Sequence, residues 1–408
     1  MTEPAPPPRQ GPRPLPFHLM IQLASLLCSE AALPLWRNGA LRWKPQAADT
    51  DLRRAVQQED EDRFRRALSD EGQARTQDFL AGVAAYRRHP YRRALAAMPV
   101  VWQQGSTRLI DYGVPGAGGL PLLVVPSLIN RAYILDLMPR RSLLRYLRGR
   151  GLRPLLVDWG RPGEAERDFA LDDYVADRLS AMLDHVLARA GRPALLGYCM
   201  GGTLALGLAC LRPEALTGLL LLAAPWDFHC PNRRPAAQLD LLRPAIEEAL
   251  ALYHQLPADL LQILFWSQDP GAVQRKFRQF ARFAGNSAAA RNFVAIEDWV
   301  NDCVPLAEKV AHEVLFDWYG SNRPAQSGWR LAGRMIEVTD LALPTLLLVP
   351  RRDRIVPAEQ ALALARQLPN ATTRMVEGGH VGMLLGAEAV TGVYRVIDKT
   401  VTALANQG

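Results

Sequence analysis

A chain of 408 residues, 49% hydrophobic and 22% charged, can bury a large core and has the makeup of a globular protein rather than a disordered one. Its net charge of +7 carries no nucleic-acid reading, because only four of 48 basic residues are Lys (Lys44, Lys276, Lys309, Lys399) and no basic run is interleaved with aromatics. Five widely spaced cysteines (Cys28, Cys199, Cys210, Cys230, Cys303) without a CxxC pair, and seven histidines without an HxxxH cluster, argue against a disulfide framework or a metal site and for a reducing, cytoplasmic compartment.

Residues 1–16 are Pro-rich and read as a disordered tail. Residues 17–29 form an apolar run that imitates a signal peptide. His18 and Gln22 interrupt it and Glu30 closes it, and it is too short to span a bilayer. A helix docking on the body or on an apolar surface is expected there, with no transmembrane segment. Residues 17–104 read as an N-terminal helical region, with Asp49–Arg66 as a solvated helix face.

From 105 onward, short apolar runs alternate with amphipathic helices, the pattern of βαβ units and a parallel sheet. Strands are expected at Pro121–Val125, Leu152–Trp159, Ala194–Gly197, Thr217–Ala224, Pro344–Pro350 and Thr372–Val376. Helices are expected at Arg140–Arg150, Leu171–Ala190, Met200–Cys210 and from about 386. Leu171, Val175, Leu179, Leu183 and Leu187 mark one face of the second of these. Residues 228–340 break the alternation and read as a helical insertion. A mostly parallel sheet flanked by helices and interrupted by a helical cap is the plan of an α/β-hydrolase fold, here over 105–408.

The strand–turn–helix run Gly197-Tyr198-Cys199-Met200-Gly201 is a nucleophile elbow with Cys199 as the nucleophile. The strained turn demands small residues two before and two after it, which Gly197 and Gly201 supply. The helix N-terminus behind Cys199 favours a thiolate, and the Met200 N–H would be one oxyanion donor. The second would come from the loop after Pro121–Val125, at Ser127 or Leu128. The fold requires an acid after a later strand and then a His: Asp353 follows Pro344–Pro350, and His380 follows the last strand. His380 would act as general base, oriented by a carboxylate. A cysteine at this position forms a thioester, nearly isoenergetic with the coenzyme A thioester that would supply the acyl group. It therefore argues for acyl transfer over hydrolysis.

At this point the chain resembles the polyhydroxyalkanoate (poly-3-hydroxybutyrate) synthase family. The likeness lies in Pro126–Pro139, Leu156–Gly160 with Leu171–Tyr174, Gly197–Gly202, Trp299–Asp302, Asp353–Pro357 and Gly379–Gly382, and covers roughly 105–385. Three positions depart from the family pattern. Ser127 replaces a second Pro, Arg354 replaces a His, and Met383–Gly386 lacks an Asn-Pro-Pro.

The resemblance implies transfer of (R)-3-hydroxyacyl groups from coenzyme A onto a polyester, with coenzyme A thioester as substrate and no cofactor. Cys199 would hold the chain, His380 deprotonate the thiol, and Asp353 help activate the incoming 3-hydroxyl. A homodimer and a polymer-granule surface are partners consistent with it. The alternative is a thioesterase or polyester depolymerase using the same residues with water as acceptor. A third reading, a granule- or membrane-bound protein without activity, sits poorly with an intact Cys199, Asp353 and His380. Leu264, Phe265, Trp266, Trp318 and Tyr319 are expected to line an acyl channel, form a dimer contact or fill the core of the cap.

Overall fold

The computed structural model describes residues 8–41, 51–116 and 118–406. The chain divides into two compact units, one made of residues up to 92 with 259–301 and one of 93–258 with 302–408.

In the first unit, α1 (Leu15–Arg37), α2 (Asp51–Gln58) and α3 (Glu61–Arg88) precede the sheet. A break at Glu59–Asp60 divides the expected Asp49–Arg66 helix, and Asp60 caps α3 by accepting from the Arg63 N–H. α3 packs on helices from the insertion through Phe79, Val83 and Tyr86 against Val273, Phe277, Phe280 and Val294. Phe277 meets Phe79 and Tyr86 edge-on. Half-buried Lys276 and Trp266 make a cation–π contact at 4.4 Å, and Trp266 packs against the edge of this core.

The described part of the Pro-rich tail is ordered, contrary to expectation. Arg9 pairs with Asp298 at 2.6 Å, the same carboxylate that accepts from the Tyr86 hydroxyl, and Gly11 and Pro12 are buried. Residues 1–7 lie outside the described residues. Helix α1 is also longer than the apolar run suggested. At 23 residues it is long and apolar enough, by length and composition, to cross a membrane. His18, which breaks the run in sequence, is turned inward and fully buried, and burial lowers its pKa to about 4.

In the second unit a sheet of eight strands runs in the order β1-β2-β4-β3-β5-β6-β7-β8 among the described residues. These are β1 (Val100–Gln104), β2 (Thr107–Asp111), β3 (Leu120–Val125), β4 (Leu152–Asp158), β5 (Ala194–Tyr198), β6 (Gly218–Leu222), β7 (Thr345–Pro350) and β8 (Ala371–Val376). β1 and β2 are antiparallel to their neighbours and the rest are parallel. The central strands β5, β6 and β7 are buried at every residue, as unbroken apolar runs covered on both faces must be. The sheet begins at Val100, so the helical region does not extend to 104. The β1 segment Val-Val-Trp-Gln-Gln lies at an edge, half exposed, and lacks the alternation that marks a half-buried strand.

The segment Pro126–Pro139 gains a structural role here. Asp136, 1% exposed, accepts from the Arg145 guanidinium at 2.8 Å, the Tyr112 hydroxyl at 2.9 Å and Arg93 at 3.3 Å. Burial and then the Asp136 charge push the Tyr112 phenol far above its ordinary pKa, which keeps it a donor. Arg145 also donates to the Ala96 carbonyl, so one carboxylate gathers the approach to β1, the end of β2 and helix α4 (Leu143–Gly149). The expected helix Arg140–Arg150 starts only at Leu143, because Ser142 caps it by accepting from the Arg145 N–H.

Candidate active site

Strand β5 delivers its last residue, Tyr198, to the elbow, and helix α5 (Met200–Leu211) leaves from the far side. Cys199 between them has φ +57° and ψ −132°, a conformation that costs a non-glycine residue about 1–3 kcal/mol. Its N–H donates to Leu222 on the neighbouring strand β6 and its carbonyl accepts from Gly202, so the turn is pinned on both sides. The demand for small neighbours is severe. A Cβ at Gly197 would lie 2.5 Å from the Gly202 Cα, and one at Gly201 2.3 Å from the Val125 carbonyl oxygen. Close approach brings the β3 loop against the elbow, where Trp159 holds it by donating to the Pro126 carbonyl at 3.0 Å.

Asp353 comes from the turn after β7. Its side chain is fully buried, and Oδ1 accepts the N–H groups of Ile355 and Val356 at 2.8 and 2.9 Å. Oδ2 lies 2.8 Å from Nδ1 of His380, which follows β8 in the Gly378–Gly379 loop. That leaves Nε2 of the imidazole turned away from Asp353, with the Cys199 side chain close enough to act on the His380 proton. Cys199, Asp353 and His380 thus come together from three separate strand ends.

Burial alone would lower the pKa of His380. The negative charge of Cys199, the hydrogen bonds to Asp353 and Cys199 and the Asp353 charge outweigh it and raise the value to about 10. The arrangement is a proton-bearing imidazole held by a buried carboxylate and set beside a cysteine at the elbow.

Met200 is the first residue of α5, so its N–H belongs to the set that a helix leaves without an internal acceptor. Ser127 and Leu128 lie in the loop after β3, both buried, and the Ser127 hydroxyl accepts from the Ile129 N–H. Two aromatic groups join the site. Tyr198, the second residue of the elbow, places its ring 5.2 Å from the imidazole of His380 at an interplanar angle of 32°. Tyr319, half-buried in the cap segment, lies within electrostatic reach of Cys199 and Asp353. Burial first, then those charges, raise its phenol far above the ordinary value. The sequence marked Tyr319 only as a lining candidate and gave no signal for Tyr198, since the elbow pattern leaves its second position open.

The family description "alpha/beta hydrolase fold" matches residues 121–387, and "Poly-beta-hydroxybutyrate polymerase (PhaC) N-terminus" matches residues 92–147. Poly(3-hydroxyalkanoate) polymerase subunit PhaC of Haloferax mediterranei is 31% identical over 71% of this chain and 60% of its own length. The proteins of the same name from Allochromatium vinosum and Synechocystis sp. are 29% and 30% identical, over 70% and 66% of this chain and 82% and 74% of their own. By matched regions, fold and site together, this chain belongs to the poly(3-hydroxyalkanoate) polymerase (PhaC) family of α/β-hydrolase-fold proteins.

Proposed function

We propose that the protein is an acyltransferase that moves (R)-3-hydroxyacyl groups from coenzyme A through a Cys199 thioester onto a growing polyester. The observation that carries this reading is the Asp353–His380 pair at 2.8 Å beside a cysteine, rather than a serine, at the elbow of a chain in this family. The Cys199 thiolate attacks the thioester carbonyl of the substrate. The carbon–sulfur bond to coenzyme A breaks, and the His380 imidazolium protonates the departing thiolate.

The acyl chain now sits on Cys199. The 3-hydroxyl of the next acyl-coenzyme A attacks it, giving its proton to His380. An ester bond forms, the Cys199 thiolate is released, and the lengthened chain on coenzyme A re-acylates Cys199 in a second round. The N–H of Met200, with that of Ser127 or Leu128, would hold the carbonyl oxygen as it gains charge. In this reading Asp353 orients His380 rather than touching the hydroxyl itself, because its buried carboxylate already has both oxygens engaged.

Supplying (R)-3-hydroxybutyryl-coenzyme A and following free thiol and polymer together, wild type beside Cys199→Ala, tests the proposal. Both products should appear with wild type and neither with the variant. Thiol without polymer would turn the reading to a thioesterase, and no thiol across several acyl-coenzyme A substrates would sink acyl transfer altogether.

The product of such a reaction is an insoluble, apolar chain, and α1 offers a surface suited to it. Leu19, Met20, Leu23 and Leu27 are exposed along one side, and the helix carries only two charged residues, Glu30 and Arg37. We assign this side to the surface of a cytoplasmic polymer granule. Leu23→Glu with Leu27→Glu should leave thermal unfolding unchanged and move the protein from the pelleted polymer to the supernatant. Full retention on the polymer would remove this assignment.

A further inference from the structure

We infer that Tyr198 is a positioning residue for His380, registering the base against the nucleophile to which Tyr198 is itself peptide-bonded. The inference rests on the proposed pairing of Cys199 with His380. Tyr198 is 2% exposed, and its hydroxyl donates to the backbone carbonyl of His380 at 3.1 Å across a separation of 182 residues. Its ring lies 5.2 Å from the imidazole, tilted by 32°. One side chain therefore touches His380 twice, once through the main chain and once across the ring face.

The need for such a hold comes from the loop. Gly378, at φ +99°, and Gly379 precede His380, and two adjacent glycines leave the backbone many accessible conformations. Their carbonyls are tied to neighbours, Gly378 to the Arg352 N–H and Gly379 to the Met383 N–H. The carbonyl of His380 is tied to the Tyr198 hydroxyl. Asp353 grips Nδ1 and so fixes the rotation of the ring, but a pull on Nδ1 does not set how far the whole residue stands from Cys199. Tyr198 supplies that distance, because its backbone ends where Cys199 begins. A shift of this loop by a fraction of an ångström matters, since misplacement by 1 Å costs a reaction roughly 100-fold.

A tyrosine that merely fills the core would also find a partner for its hydroxyl, so the test must read the catalytic pair and not only stability. Tyr198→Phe removes the hydroxyl and keeps the ring, and Tyr198→Leu removes both. Two measurements apply to each. One is kcat and KM with (R)-3-hydroxybutyryl-coenzyme A. The other is the pH dependence of iodoacetamide alkylation, scored on the Cys199 peptide by mass spectrometry because the other four thiols are also free. With Tyr198→Phe, kcat should fall about 10-fold, a part of that misplacement cost, while KM stays within about twofold. The alkylation profile should move to higher pH, and Tyr198→Leu should move it further.

A purely structural role predicts a lower melting temperature with kcat and the profile unmoved, and that outcome overturns the inference. His380→Asn is the reference. If it shifts the alkylation profile and Tyr198→Phe does not, only the positioning role falls. If His380→Asn itself leaves the profile unmoved, the nucleophile–base pairing fails, and the positioning role fails with it.

Discussion

The proton on His380 has consequences for pH dependence as well as chemistry. The folded pKa, about 10, lies above the unfolded value of 6.5, so the folded state holds the proton more tightly than the unfolded chain does. The stability this confers is fully present below pH 6.5 and is lost as pH rises through about 10. The gap in urea midpoint between wild type and His380→Asn should therefore be wide at pH 7 and shrink towards pH 10, and a gap that widens over that range would contradict the assignment. Cys199, Asp353 and His380 could be placed from the sequence because the fold fixes their order and their strand ends. Tyr198 could not. Its role depends on where a loop 182 residues later lays its carbonyl, and no local pattern encodes that.

At the level of elements, the buried parallel strands were easy to read because a strand covered on both faces is a continuous apolar run. The edge strand β1 was not, since half exposure removes both the run and the alternation. The Pro126–Pro139 segment was visible as a motif but not as a cause. Asp136 supplies the cause, by pinning Arg145, Arg93 and Tyr112 around the start of the sheet. Asp136→Ala removes a carboxylate buried to 1%, strips the Tyr112 hydroxyl of its acceptor and leaves Arg145 and Arg93 only main-chain carbonyls, those of Ala96 and of residue 136. Breaking a buried pair costs about 3–5 kcal/mol. Here the lower end applies, because the Arg145 and Arg93 side chains are 24% and 34% exposed and can turn to water. Denaturant unfolding should show a loss of about 3 kcal/mol, whereas a change below about 0.5 kcal/mol, typical of a neutral surface substitution, would remove Asp136 from this role.

At the scale of the whole molecule, the division of the chain is what sequence reading rendered least well. Residues 228–340 read as one insertion, yet 259–301 join the N-terminal helices in a compact unit and the rest stay with the sheet. The pairing is made by side chains nearly 200 positions apart, such as Tyr86 with Phe277, and periodicity within either segment gives only an apolar face without naming its partner. Phe277 is the centre of that unit's core, 0% exposed and in edge contact with Phe79, Tyr86 and Phe293. Its position also explains Gly82, where a Cβ would lie 2.0 Å from the Phe277 carbonyl oxygen, so the backbone of α3 must come this close. Phe277→Ala leaves a cavity among Phe79, Tyr86 and Phe293 and should cost the unit about 3–5 kcal/mol. Hydrogen exchange reads the consequence unit by unit. Amides of Phe79–Tyr86 and Val273–Phe280 should lose protection by about two to three and a half powers of ten, since each 1.4 kcal/mol is tenfold. Amides of β5, β6 and β7 should exchange at their original rates. Equal loss in the central strands would mean that the chain unfolds as one cooperative body, and the division into two cores would then have no energetic counterpart.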